Sequence, residues 1–132
     1  MTAKILIVED EMLVAMDLEA ILEDLGHDPV GIVPDLASAE PYYNARLDLA
    51  LVDLNLRDGL TGPEIAKRLS SGGVPVLFIT ANPRQLGDGI SGTIGVITKP
   101  TDASIVKAAV DYVLESRAGR PAVPPPELEL FG

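Results

Sequence analysis

The chain has 132 residues, 47% of them hydrophobic, which suits one compact domain with a real core and leaves no room for a second. Twenty acidic residues against ten basic ones give a net charge of −10, which argues against nucleic acid and anionic lipid as partners and favours proteins or cations. With no cysteine there is no disulfide or thiolate chemistry, and no apolar run approaches a signal sequence or the roughly 20 residues of a membrane span, so a soluble, cytoplasmic protein is expected.

Lys4 to Val8 is a continuous, branched apolar run, as expected of a strand buried on both faces of a parallel sheet. Val14, Leu18, Ile21, Leu22 and Leu25 then recur at helical spacing, and Gly26 sits where a left-handed cap would end the helix. A second strand is expected near Pro29 to Val33, followed by a helix from about Asp35 to Asn44 with Asp35 or Ser38 as its cap. The third strand runs from about Leu49 to Leu54, and the stretch PEIAKRLSSGG reads as a short amphipathic helix with a glycine exit. A fourth buried strand covers about Pro75 to Thr80. The next stretch, ANPRQLGDGISGTIG, holds one proline and four glycines, so any helix there is short or frayed. VIT forms a brief fifth strand, and Asp102 opens a last helix whose apolar face includes Ile105, Val106, Ala109, Val110, Val113 and Leu114, ending near Ser116. Residues 1–117 are read as the domain, and the proline-rich residues 118–132 as an extended, disordered tail.

Strands alternating with helices at this spacing predict an α/β fold, a three-layer sandwich whose parallel sheet is covered on both faces and joined by right-handed crossovers. The flavodoxin-like (βα)5 arrangement, with strand order 2-1-3-4-5, is the commonest solution at this size and places ligands at the carboxyl ends of the strands where the order reverses. The residues at those ends are Glu9 and Asp10 after the first strand, Asp53 at the end of the third, Thr80 at the end of the fourth and Lys99 after the fifth. Three carboxylates meeting there would have raised pKa values or need a counter-charge, which a hard divalent cation such as Mg²⁺ supplies while also bridging to phosphate oxygens. Lys99 can pair with Asp53 or with a phosphoryl oxygen, the Thr80 hydroxyl can donate to the same group, and Asp53 is the natural nucleophile of an aspartyl phosphate.

Taken in order, ILIVEDE, LALVDLNL, PVLFITA and VITKP resemble the receiver domain of bacterial two-component response regulators over about positions 4 to 116. The resemblance implies that Asp53 accepts phosphate from a histidine kinase or a histidine phosphotransfer protein. It implies that Asp10 and Asp53 bind Mg²⁺ directly with the Asn55 backbone carbonyl, and that Glu9 acts through water. Thr80 and Lys99 would grip the phosphoryl group, and Lys99–Pro100 would be a cis peptide. Ala81 is small and would leave the pocket open to a donor. Two positions depart from the family. Val96 stands three residues before the lysine where Tyr or Phe is usual, and Thr101 follows Pro100 where Phe is common. This combination is similar to stand-alone alphaproteobacterial receivers and to the receiver part of general-stress-response regulators. Phe78 would be core, or else a substitute for the missing aromatic switch.

The reading is thus a phosphoacceptor that catalyses only its own phosphoryl transfer and dephosphorylation, a monomer or weak dimer whose output is a protein contact. The alternative is a phosphate-independent scaffold. A true aspartyl hydrolase would need an acid two residues after Asp53, where Asn55 stands. A flavin or nucleotide binder would offer glycines and N–H groups where Glu9, Asp10 and Glu11 lie. Glu11 is expected to be a solvated helix-start acid, His27 a solvated loop side chain, Met12 and Met16 packing residues, and Tyr42 and Tyr43 half-buried anchors. Leu128, Leu130 and Phe131 are read as part of the disordered tail, with a docking peptide as the other option.

Overall fold

The structure, a computed structural model, describes residues 2–131. Lys4–Val8 (β1), Asp28–Val33 (β2), Leu49–Val52 (β3), Val76–Thr80 (β4) and Gly95–Thr98 (β5) form a parallel sheet in the order β2-β1-β3-β4-β5. Because successive residues of a strand point to opposite faces, the apolar runs feed two cores at once. Leu6, Val8, Ala50, Val52, Val76, Phe78 and Val96 lie on one face, and Ile5, Ile7, Leu49, Leu51, Leu77, Ile79 and Ile97 on the other.

Met12–Asp24 (α1) and Ala103–Arg117 (α4) cover the second face through Ala15, Leu18 and Leu22 and through Val106, Ala109, Val110 and Val113. Leu36–Ala39 (α2), extended by a 3-10 turn at Glu40–Tyr42, and Gly62–Ser71 (α3) cover the first face through Ala39, Ile65, Ala66 and Leu69. Asp35 caps α2: its carboxylate accepts from the Ser38 N–H at 2.9 Å and the Ser38 hydroxyl at 2.6 Å, and with Arg57 these hold its pKa down to about 2.

As expected of a stretch where any helix is short or frayed, the segment between β4 and β5 has only the 3-10 turn Pro83–Leu86, because Pro83 limits the entry and Gly87, Gly89 and Gly92 all adopt positive φ. Three sequence expectations are corrected. First, the stretch read as a disordered tail ends in a paired strand: Leu128–Leu130 (β6) pairs antiparallel with β5 and makes a sixth strand, while Gly132 lies outside the described residues. Second, Met12 and Met16 are exposed, along with Leu13, because α1 turns only Ala15, Leu18 and Leu22 fully inward. Third, His27 is half-buried, and its Nδ1 accepts the Ala3 N–H at 3.1 Å, which requires the neutral ring and which burial favours by pushing its pKa down. Tyr42 and Tyr43 are half-buried as expected. Among the described residues no helix is long and apolar enough to cross a membrane.

Candidate functional site

The site is built where four parallel strands end. The Asp53 N–H donates to the Val8 carbonyl at 2.9 Å, the Glu9 N–H to the Val33 carbonyl at 3.0 Å, and the Lys99 N–H to the Thr80 carbonyl at 2.8 Å. These bonds carry the ladder one residue beyond the strands and fix the backbone under each polar side chain. The apolar strand residues supply burial, and the chain turns polar only at the rim.

Glu9, Asp10 and Asp53 bring one carboxylate oxygen each to within 4.8 Å of one another. Lys99 bridges two of them, with Nζ donating to Glu9 Oε1 at 2.7 Å and to Asp53 Oδ2 at 2.8 Å. The remaining oxygens are held by backbone: Glu9 Oε2 accepts from the Glu11 N–H at 3.1 Å, and Asp53 Oδ1 from the Leu54 N–H at 2.7 Å. Burial pushes the Glu9 carboxyl up from its ordinary range, and the Lys99 and Glu11 hydrogen bonds only partly offset this. For Lys99 burial acts downward, but the bonds and charges of Asp53 and Glu9 outweigh it and hold the ammonium above its usual value.

Thr80, fully buried at the end of β4 between the strands that carry Asp53 and Lys99, accepts the Asn82 N–H at Oγ1 (3.1 Å) and keeps its own proton to donate. Asn55 lies in the exposed loop after Asp53, and its side-chain amide donates to Gln85 Oε1 at 3.0 Å. A neutral, engaged amide there cannot serve as a general acid. The Lys99–Pro100 peptide is cis.

The donor set is all oxygen and carries three negative charges against one ammonium, so the cluster fits a hard divalent cation. Sequence reasoning did not find the cavity of about 560 Å³ beside Lys99, which Leu13, Val14, Ile21, Ala81, Pro100 and Thr101 help to line. Its signal was the excess of apolar residues on α1 over the number one helical stripe needs. Thr101 Oγ1 is buried there without a hydrogen-bond partner.

Over residues 5–111 the sequence matches the family described as the response regulator receiver domain. Phyllosphere-induced regulator PhyR of Methylorubrum extorquens is 37% identical over 118 residues, covering 86% of this chain and 44% of that protein. The solution structure of the REC domain of the Erythrobacter litoralis PhyR response regulator has a TM-score of 0.78 at 33% identity, covering 92% of this chain and 97% of the other. The crystal structure of the anti-anti-sigma factor PhyR from Bartonella quintana has a TM-score of 0.75 at 31% identity, covering 90% and 50%. This chain spans about half the length of the curated relatives it matches.

Proposed function

This chain belongs to the response regulator receiver domain family, and from that premise we propose that it is a phosphoacceptor switch modified on Asp53. The observation that carries the reading is the bridge from Lys99 to Asp53 and Glu9, with Asp10 in the same cluster. In the proposed reaction an Asp53 carboxylate oxygen attacks phosphorus in line. The bond from phosphorus to the donor histidine of a kinase or phosphotransfer protein breaks, its electron pair stays on the imidazole nitrogen, and that nitrogen takes a proton from solvent.

Glu9, Asp10 and Asp53, with the Asn55 carbonyl, would hold Mg²⁺, which when bound neutralises the charge between carboxylates and phosphoryl oxygens. Lys99 Nζ, already 2.8 Å from Asp53, is placed to follow the new negative charge onto the phosphoryl group. The Thr80 hydroxyl donates its free proton to the same oxygens. Ala81 is exposed and small and keeps the approach open. The protein turns over only its own phosphate, acts in the cytoplasm, and its output is a contact with another protein. That the Bartonella relative is an anti-anti-sigma factor supports a protein partner of that general kind.

Incubation with Mg²⁺ and a small acyl phosphate should add a single phosphate, and Asp53→Asn should abolish it. Uptake that survives the substitution would refute the assignment, and no uptake by the native chain would favour the phosphate-independent scaffold.

A further inference from the structure

The segment between β4 and β5 holds only a 3-10 turn, so one sheet face near Phe78 and Val96 lacks a helix. A second gap lies beside it, since the outer edge of β5 has no further parallel strand. The chain's own end fills both. Gly95, Val96 and Ile97 pair with Leu130, Glu129 and Leu128, and the Phe131 N–H donates to the Ile94 carbonyl at 3.0 Å. The Phe131 ring stands 6.3 Å from that of Phe78 at 48° and packs on the core that Leu86 and Val96 help to form.

Two glycines are shaped to this occupant. A Cβ on Gly95 would lie 2.3 Å from the Glu129 carbonyl oxygen, and one on Gly89 would lie 2.5 Å from Phe131 Cγ. The surface therefore accepts a strand backbone at close range and an aromatic ring beside it. What seats there is small: β6 is three residues long, of which only Leu128 is buried, and Phe131 is half-buried. The connection, residues 118–127, carries four prolines and no helix or strand. A short edge strand on such a tether adds little stability and can be exchanged for another strand.

We infer that the outer edge of β5, with the hollow beside Phe78, is a docking site for an extended segment of a partner protein, apolar at the position of Leu128 and aromatic at that of Phe131. The chain's own Leu128–Phe131 occupies the site in cis until the partner displaces it. Backbone pairing supplies the attachment and the two side-chain positions supply the selectivity. The inference goes beyond the phosphoacceptor reading and needs no phosphate.

The test uses the full chain without phosphodonor and a fluorescent peptide of sequence PPELELF, which copies residues 125–131. The native tail competes at the high effective concentration of a short tether, so Phe131→Ala, which weakens the competitor, should bind the peptide about tenfold or more tightly than the native chain. Phe131→Ala combined with Gly95→Ala should not bind, because the added Cβ blocks any strand on that edge. Leu128→Ala serves as a second weakened competitor, and the amide spectrum of β1 to β4 checks that each variant is folded. A folded Phe131→Ala chain that ignores the peptide would overturn the inference. Equal binding by all variants would do the same, and so would a native chain that dimerises by exchanging tails, since the occupant would then be a second copy.

Discussion

Replacing Lys99 by methionine keeps the length of the side chain and removes its charge. Glu9 is 2% exposed and Lys99 15%, so the pair is shielded from solvent, and the loss strands a buried carboxylate beside Asp53. Breaking a buried pair on one side costs roughly 3–5 kcal/mol when the remaining charge persists. Glu9 has an escape, which is to take up a proton. Holding it protonated at neutral pH costs no more than the gap between that pH and its ordinary value of 4.5, about 3 kcal/mol at roughly 1.4 kcal/mol per pH unit. The expected loss for Lys99→Met is therefore about 3 kcal/mol at neutral pH. The sign with pH follows. An acid whose folded pKa is raised binds more protons folded than unfolded, so the penalty grows as pH rises above 4.5 and vanishes below it. Urea unfolding of the native chain and the variant at neutral pH and at the ordinary glutamate pKa measures both. Millimolar Mg²⁺ should recover part of the loss by supplying the missing positive charge. A loss under about 1 kcal/mol, the range of an exposed pair, would refute the reasoning. A loss that does not change with pH would refute the proton escape.

Asp10→Ala removes one of three carboxylates from the cluster and should weaken Mg²⁺ binding by more than about tenfold, read by calorimetry, with the fold retained because Asp10 is only half-buried. Phe131→Ala should lower stability by about 1–2 kcal/mol, from a half-buried ring and its tilted contact with Phe78. The double variant with Leu128→Ala should cost less than the sum of the two single losses in urea unfolding, because once the strand has left the edge nothing more is lost. His27 is neutral when it accepts from Ala3, and its folded pKa is lowered by burial, so its contribution is full above 6.5 and is lost as pH falls through the lower folded value; NMR titration of the ring should show that depressed midpoint, and His27→Gln should flatten the stability profile over that window.

Much of this molecule was legible as a string of residues because the signals were local. β1, β3, β4 and β5 are short apolar runs that fill two faces, and the polar residues that end them mark the rim of the sheet. The strand order came from a general rule, and with it Glu9, Asp10, Asp53, Thr80 and Lys99 were already placed at one edge. Asp35 or Ser38 was read as the cap of α2 because both residue types accept from helix-start N–H groups, and Asp35 takes the role.

The remainder depended on contacts between distant parts of the chain. Leu-Glu-Leu-Phe after a proline run has the look of a tail, and nothing local to it shows that β5 has an open edge and that the stretch before β5 fails to make a helix. Pairing across some thirty positions becomes favourable only once both vacancies exist together. The same holds for His27, whose acceptor role needs the N–H of Ala3, which precedes β1, brought beside the end of α1, and for Met12 and Met16, whose exposure depends on which side of α1 the sheet takes. Sequence records which residues can be buried; packing chooses among them, because the sheet offers α1 room for only one stripe of side chains.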